Sequence, residues 1–287
     1  MLEIAGSSHT NVARGRLLIV AAALLWSLAG VFIKFLDVPP LTIVFYRSCF
    51  AFVVFTPFVR RVQWRINRPV VISVLTYTAA ISSFVSANKL TTAANAIVLQ
   101  YTAPIFVFLF SRFVLGETIS KVNGFALLAG MLGVAVISLD SAGEPEMAGV
   151  VLALVSGVLF AAYMINLQHT QQVNPTYLTW INNAFCALSL LFVVSSQLTV
   201  TVNQLVILVV MGAVQLGLPY FLFSKGLQSV SLQEASLIAL IEPVLNPIWV
   251  ALTVGEIPST ATLSGGAMIL IGLGVRYVWP LWNKPAG

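Results

Sequence analysis

The stretch IALIEPVLNPIWVALTVGE, residues 238–256, decides the fold, because an earlier stretch of the chain repeats its landmarks. The earlier stretch is LQYTAPIFVFLFSRFVLGE, residues 99–117, which also sets a proline inside an apolar run and closes that run with Gly-Glu. The matched positions, all 139 residues apart, are Ala96 and Ala235, Pro104 and Pro243, Gly116 and Gly255, Glu117 and Glu256, and Gly133 and Gly272. The chain therefore holds two similar halves, which we place at residues 1–140 and 141–287.

The composition around these landmarks is that of a membrane protein. Hydrophobic residues make up 59% of the 287-residue chain and charged residues only 8%, against about 25% in ordinary globular proteins. The mean hydropathy is +0.98. A soluble domain so poor in charge could not cover its surface with polar groups, whereas a lipid-facing surface needs none. We therefore predict an all-α integral membrane protein without a separate soluble domain.

The apolar runs provide for about ten transmembrane helices, since one span needs about 20 apolar residues. The predicted spans are 16–36, 40–59, 69–88, 92–114, 121–139, 147–168, 175–197, 204–224, 231–254 and 259–280. Five spans per half is an odd number, so the second half must enter the membrane from the side opposite to the first. We expect an inverted-topology repeat of five plus five helices around a central cavity, an architecture common among secondary transporters.

The basic residues are unevenly distributed between the two sides that these spans define. With the N-terminus placed in the cytoplasm, the cytoplasmic set is Arg14, Arg16, Arg60, Arg61, Arg65, Arg68, Arg112, Lys121, Lys225, Arg276 and Lys284. The loops on the other side carry Asp37, Asp140, Glu144, Glu146 and Glu256. This asymmetry follows the positive-inside rule and predicts that both termini are cytoplasmic. The net charge of +5 therefore reflects topology and does not indicate nucleic-acid binding.

The same landmarks carry a resemblance to a known family. Ten spans in two halves, Pro and Gly-Glu in the fourth span, and Glu242-Pro243 with Gly255-Glu256 in the ninth resemble the EamA branch of the drug/metabolite transporter superfamily. Within that branch the chain is most similar to YddG-type exporters of aromatic amino acids. The resemblance implies a basket of ten helices around a central cavity, set in the bacterial inner membrane, that exports small metabolites from the cytoplasm.

Glu242 is the leading candidate for a functional residue, because an ionisable group inside a span is costly. It lies about halfway along the ninth span and directly before Pro243. The missing proline N–H frees a carbonyl one turn earlier, so a helix broken here would expose polar backbone to a cavity. The carboxyl group could carry a proton or meet a substrate ammonium group, and the alternative is a structural glutamate that holds the kink. The candidate kink or gating residues are Pro104, Pro243 and Pro247.

Arg47 is the second ionisable candidate, because it lies about two turns into the second span. It can pair with Glu242 or bind a substrate carboxylate. Lys34, near the end of the first span, can instead extend its side chain to the membrane surface. The other candidates are amphipathic aromatic and amide side chains at mid-depth, whose polar ends need partners in a dry environment. The candidate substrate-binding set is Glu242, Asn246, Tyr101, Gln100, Asn95, Tyr46, Arg47, Trp26, Tyr77, Tyr163, Trp180 and Asn182.

Motifs of other functional classes are absent from the sequence. It contains no Gly-x-x-x-x-Gly-Lys-Ser/Thr phosphate loop and no His-Glu-x-x-His zinc motif, and its two histidines, His9 and His169, stand far apart in the chain. We therefore expect no enzymatic activity, no metal and no other cofactor.

The sequence thus favours a secondary exporter of aromatic or other amphipathic amino acids and related metabolites, working by alternating access. Two alternatives stay open at this point: a broad multidrug exporter of flat organic cations, and a non-transporting membrane scaffold or subunit. The expected partners are a small-molecule substrate and the lipid bilayer, and a monomer is compatible with the sequence.

Overall fold

The computed structural model describes residues 2–59, 62–103, 105–106, 109–110, 121–140, 146–230, 235 and 238–282. Side chains are described from residue 11 onward, apart from residues 121, 123, 127, 273 and 276–282. All regular structure in these ranges is helical, and no strand occurs within them. The helices are α1 (Leu2–Trp26), α2 (Ala29–Phe35), α3 (Pro40–Val59), α4 (Arg68–Leu90), α5 (Ala93–Gln100), α6 (Lys121–Asp140), α7 (Met147–Leu167), α8 (Pro175–Val194), α9 (Val202–Val210), α10 (Leu218–Gly226), α11 (Ile241–Val254) and α12 (Thr260–Trp282). A π-helical segment, Met211–Gly217, joins α9 to α10.

Six helical stretches are long and apolar enough to cross a membrane. They are Asn11–Phe35, Pro40–Val59, Arg68–Leu90, Met147–Thr170, Pro175–Gln197 and Val202–Gly226. Three shorter apolar helices among the described residues are Gly124–Asp140, Ile241–Val254 and Thr260–Gly272. The six stretches coincide with the first three predicted spans of each half. The count of ten stays a prediction, because the fourth and ninth spans run partly through residues outside the described ranges.

Helices of the first half pack mainly against helices of the second half. α4 packs along α7, α3 along α8, α1 along α10 and α6 along α12. α5 contacts α7, and α2 contacts α11. Large apolar side chains such as Leu139, Phe192 and Leu252 are exposed on the outside of the bundle. Such a surface is suited to lipid, which offers no hydrogen-bond partners to polar groups.

Small residues recur every four positions along α7, at Gly149, Ala153 and Gly157. A Cβ atom added to Gly149 would lie 2.7 Å from the backbone nitrogen of Thr91, and one added to Gly157 would lie 3.1 Å from the carbonyl oxygen of Gln100. The small residues therefore let α7 approach the backbone at the two ends of α5, as small-residue stripes do between membrane helices.

Replacing Gly149 by Ala is expected to lower the free energy of unfolding by about 1–3 kcal/mol, because the new methyl group meets backbone atoms that cannot turn aside. Unfolding of the purified protein in detergent, by heat or denaturant, measures the change. Gly266→Ala is the control, since the nearest atoms to its Cβ position are methyl groups of Val98 at 3.4 Å. Equal stability of the two variants would contradict the close approach of α7.

The two ends of the bundle differ, and each is named here by its residues. The latch face is the end at which Lys34, Thr91 and Glu256 meet. The vestibule face is the opposite end, where the loop 168–175 and the residues 224–230 surround a cavity. The site described next lies between these two faces.

Candidate functional site

Two helical segments are interrupted at positions that are 139 residues apart in the sequence. α5 ends at Gln100, and a turn at Tyr101 follows. In the second half, a turn at Leu240 precedes α11. The two interruptions meet, because the Tyr101 hydroxyl lies 2.8 Å from the carbonyl oxygen of Ala239. Broken helices of this kind place polar backbone groups in the interior of a membrane protein, where transporters form binding sites.

Glu242 lies beside this meeting point, in the first turn of α11, and its side chain is buried. The Tyr101 hydroxyl donates a hydrogen bond to Oε2 of Glu242 at 2.7 Å. Pro243 lies in the same first turn, where the missing N–H costs no helical hydrogen bond, whereas Pro247 lies within the helix. Pro104 lies outside the described residues. The kink or gating role of the three prolines stays a prediction.

Arg47 is the other buried charge, with only 3% of its surface exposed. The π-helical segment packs directly on this part of α3, since a Cβ atom on Gly212 would clash with the carbonyl oxygen of Arg47. π-helical turns are frequent at functional sites. Arg47 interacts electrostatically with Glu242, but the two side chains form no ion pair within 4.0 Å. Among the described residues, they are the only buried charged side chains.

Five rings form an aromatic cluster next to these charges. The aromatic cluster consists of Trp26, Tyr77, Tyr163, Tyr220 and Phe223. The ring centroid of Tyr220 lies 4.9 Å from that of Trp26 and 4.8 Å from that of Tyr77, both in edge-to-face geometry. Arg47 interacts electrostatically with Tyr77 and Tyr220. The buried cation therefore adjoins a surface of rings that suits a flat apolar group.

The amide side chains of the predicted set differ in whether they have hydrogen-bond partners in the protein. Asn182 donates to the hydroxyl of Tyr163 at 3.4 Å, and Gln100 donates to the hydroxyl of Ser156 at 2.7 Å. Asn246 is fully buried, and neither its amide nitrogen nor its oxygen has a protein partner among the described residues. Of the predicted amides, Asn246 is thus the one with no protein partner on either polar atom among the described residues.

Three residues of the predicted set lie elsewhere. The Tyr46 hydroxyl donates to a backbone carbonyl in the loop after α8 at 2.7 Å. The Trp180 indole donates to the hydroxyl of Thr56 at 3.0 Å, and the amide oxygen of Asn95 accepts from Thr262 at 2.6 Å. No hydrogen bond or ring contact within the described ranges joins them to the aromatic cluster. The same ranges hold no group of three or more His, Cys, Asp or Glu side chains suited to a metal ion.

Two cavities lie on the vestibule side of the turn at Tyr101. The vestibule, about 230 Å³, lies between α7, α8 and α10. The central cavity, about 20 Å³, is lined by Trp26, Gln100, Tyr101, Ala103, Phe160, Met164, Phe223 and Ala239. Met164 lines both cavities. The central cavity has room for about one water molecule, so a larger ligand requires the surrounding helices to separate.

Sequence reasoning missed five residues of this lining, namely Ala103, Phe160, Met164, Phe223 and Ala239. They are apolar residues within apolar helices, so nothing in their type distinguishes a cavity-lining position from a lipid-facing one. Helical spacing is the signal that could have found two of them. Phe160 and Met164 are four positions apart on α7, so they lie on the same face of that helix.

A polar network closes the latch face. Lys34 Nζ lies 2.8 Å from Oε2 of Glu256 and donates to the carbonyl oxygen of Thr91 at 2.8 Å. Oε1 of Glu256 accepts the backbone N–H of Ala93, the first residue of α5, at 2.6 Å. A carboxylate at a helix N-terminus is stabilised by the helix dipole. Lys34 therefore pairs with an acid of the other half, where the sequence predicts that it extends to the membrane surface.

Comparison with known proteins identifies the family of the chain. The model of the EamA-like transporter family matches the chain twice, at residues 13–139 and 147–277. An uncharacterized transporter of Archaeoglobus fulgidus is 28% identical over 262 residues, which are 90% of this chain and 94% of that protein. An uncharacterized transporter of Clostridium kluyveri is 24% identical over 216 residues, which are 71% of this chain and 70% of that protein.

A solved crystal structure shows the same fold, with a TM-score of 0.70 and 21% sequence identity. The likeness covers 93% of this chain and 98% of that one. The structure describes a helical bundle with several membrane-spanning stretches, and the two family matches together cover most of the sequence. The chain therefore belongs to the EamA-like transporter family and is a multi-pass membrane transporter.

Proposed function

We propose that the protein exports small amphipathic amino acids, foremost aromatic ones, and related metabolites by alternating access. The observation that carries this proposal is the pair of buried charges, Arg47 and Glu242, beside the aromatic cluster. A zwitterion with a flat apolar body offers a carboxylate to the first charge, an ammonium group to the second, and a ring to the cluster. The closed latch face and the open vestibule face correspond to one of the two states that alternating access requires.

The packing of the two halves supports an inverted repeat, with residues 1–140 and 141–287 as its units. Under a two-fold exchange of the predicted spans, the contact of α4 with α7 corresponds to that of α10 with α1. The contact of α5 with α7 corresponds in the same way to that of α11 with α2. Two such related units can exchange their conformations and thereby open the centre to one side or the other.

The distribution of charge supports the direction of transport. Tyr177 donates to the carbonyl oxygen of Arg65, which places this basic loop at the vestibule face, and Gly15 packs against Val230, which places the flanking arginines there too. The latch face holds the acids Glu256 and Glu146, and the first of them is paired with Lys34. Under the positive-inside rule, the vestibule faces the cytoplasm of a bacterial inner membrane, so this state receives substrate from inside the cell.

Counterflow in proteoliposomes tests the proposal. Vesicles loaded with unlabelled L-tryptophan should take up labelled L-tryptophan faster than protein-free vesicles, with and without an imposed pH gradient. An increase of the rate under the gradient would indicate proton coupling, and an equal rate would indicate exchange or facilitated diffusion without proton coupling. Absence of counterflow with all aromatic amino acids would refute the proposed substrates and favour the membrane scaffold.

A specific observation also favours a second candidate, an exporter of flat organic cations. The central cavity is lined by the rings of Trp26, Phe160 and Phe223 and by Tyr101, whose hydroxyl bonds to Glu242, and aromatic faces together with an acid suit such cations. The same vesicles distinguish the candidates. Inhibition of tryptophan counterflow by a quaternary ammonium dye, together with uptake of that dye, would favour the second candidate.

Met164 is expected to limit the size of the substrate, because its flexible side chain lies between the vestibule and the central cavity. Met164→Ala should raise the ratio of tryptophan to alanine transport about tenfold, the effect expected of a few methylene groups in a pocket. Counterflow with both amino acids measures the ratio. Met211→Ala is the control, because Met211 is fully buried and lines neither cavity; an equal change in both variants would contradict the role of Met164.

A further inference from the structure

The guanidinium group of Arg47 has unused hydrogen-bonding capacity. Nε and Nη1 are both buried and have no protein partner among the described residues. A cation inside a membrane protein is costly and is normally paired with an anion or with backbone carbonyls. The absence of any protein partner on two nitrogens of a nearly inaccessible arginine therefore points to a partner that arrives from outside the chain.

None of the side chains that interact electrostatically with Arg47 forms a hydrogen bond with Nε or Nη1. Glu242 is the one acid that interacts electrostatically with Arg47, and one of its oxygens already accepts the hydrogen bond of Tyr101. The hydroxyl of Tyr77, another neighbour, donates to Asn183 at 3.1 Å and accepts no hydrogen bond from these two nitrogens of Arg47. The charge of Arg47 is thus balanced only at a distance.

The surroundings of Arg47 also define the shape of the missing partner. The guanidinium interacts electrostatically with Tyr77 and Tyr220, whose rings meet edge to face in the aromatic cluster. A guanidinium group is a planar fork that matches a carboxylate with two parallel hydrogen bonds. Nε together with one terminal nitrogen forms one side of that fork.

We propose that Arg47 is the carboxylate receptor of the central site, so the substrates are carboxylate-bearing molecules with a flat apolar body. This inference rests on the proposed function and narrows it. It excludes amines and quaternary ammonium compounds that lack an acid group as tight ligands. Glu242 then contributes to the affinity for amino acids over simple aromatic acids, because its carboxyl group is buried near enough to Arg47 to interact with it electrostatically.

Isothermal titration calorimetry of the purified, detergent-solubilised protein tests the inference with three probes. L-Phenylalanine has both charged groups, 3-phenylpropanoate lacks the ammonium group, and phenethylamine lacks the carboxylate. Phenethylamine should bind at least about tenfold more weakly than phenylalanine, the loss expected for one hydrogen-bonded charge. Arg47→Gln should weaken phenylalanine and phenylpropanoate at least about tenfold and leave phenethylamine unchanged.

Two further variants keep the result interpretable. Arg47→Lys preserves the positive charge but loses the planar fork, so it should weaken the binding of phenylalanine and phenylpropanoate by a smaller factor than Arg47→Gln does. If Arg47→Gln does not fold, the affinities of Arg47→Lys test the inference. Arg65→Gln is the control, because Arg65 is exposed at the vestibule face, and it should leave all three affinities unchanged. Phenethylamine binding as tight as phenylalanine, or an Arg47→Lys protein with unchanged affinities, would overturn the role of Arg47. If wild-type protein binds none of the probes and shows no counterflow, the proposed function itself fails.

Discussion

Replacing Glu242 by Gln is expected to lower the counterflow rate at least about tenfold while the protein stays folded. Glutamine has nearly the same shape and keeps an oxygen that accepts the hydrogen bond of Tyr101, so the contact at 2.7 Å can persist. It cannot ionise, so it can neither carry a proton nor attract an ammonium group. We expect the melting temperature to change by less than about 4 °C, the shift that corresponds to about 1 kcal/mol.

Tyr101→Phe is the matched control, because it removes the hydrogen bond from the other side and leaves the carboxyl group in place. If Glu242 only holds the two interrupted helices together, Tyr101→Phe should reduce both stability and transport more than Glu242→Gln does. If the ionisable group is what transport needs, Glu242→Gln should reduce transport more than Tyr101→Phe, and Tyr101→Phe should reduce stability more.

The hydrogen bonds around Glu242 show how a proton could be held there. A tyrosine hydroxyl has one proton to donate, yet the Tyr101 hydroxyl lies within 2.8 Å of both the Ala239 carbonyl oxygen and Oε2 of Glu242. Both contacts can be full hydrogen bonds only when Glu242 donates its own proton to Tyr101. When Glu242 is charged, the single proton of the Tyr101 hydroxyl is shared between Oε2 of Glu242 and the carbonyl oxygen of Ala239. Counterflow that persists in Glu242→Gln with an unchanged pH dependence would exclude proton carriage by this residue.

The repeat and its landmarks could be predicted from the sequence because they depend only on covalent spacing. The separation of 139 residues that relates Pro104 to Pro243 also relates the interruptions at Tyr101 and Leu240. Glu242 and Arg47 could be chosen as candidates from the sequence for a similar reason, since the cost of a charge in an apolar span does not depend on the details of packing.

The orientation of side chains could not be predicted in the same way. Tyr46 and Tyr77 are both amphipathic aromatics at mid-depth, but Tyr77 belongs to the aromatic cluster and Tyr46 bonds to a distant loop. The sequence of one helix does not reveal which neighbour will supply a partner for a polar tip. Trp180 shows the same limit, because its indole finds Thr56 on α3 and not the cluster.

Reversing the charge of Lys34 is expected to open the latch face. Lys34→Glu would place a second carboxylate beside Glu256, where the structure has an ion pair of 2.8 Å, and it would also lose the bond to the carbonyl oxygen of Thr91. A partly exposed ion pair alone contributes about 0–1 kcal/mol, but a like-charge contact within a network adds to that loss. A total near 1.4 kcal/mol would raise the population of the state open at this face about tenfold.

Labelling of a buried cysteine measures that population. Ser27→Cys, in a background with Cys49 and Cys186 replaced by Ala, places a thiol at the turn between α1 and α2, where Ser27 is fully buried. A membrane-impermeant maleimide added from the latch face should label this thiol about tenfold faster when Lys34 is replaced by Glu. Asp37→Asn is the control, because it changes a charge at an exposed position outside the network.

The reciprocal exchange is the sharper test of the latch. Glu256→Lys alone should also speed labelling, because two lysines would then face each other at the end of α2. The double variant Lys34→Glu/Glu256→Lys restores opposite charges, so its labelling rate should fall back toward that of the parent. The recovery should stay incomplete, since a lysine at position 256 cannot accept the N–H of Ala93 at the start of α5. Single variants that label at the parental rate, or a double variant that labels as fast as the singles, would show that this ion pair does not hold the face closed.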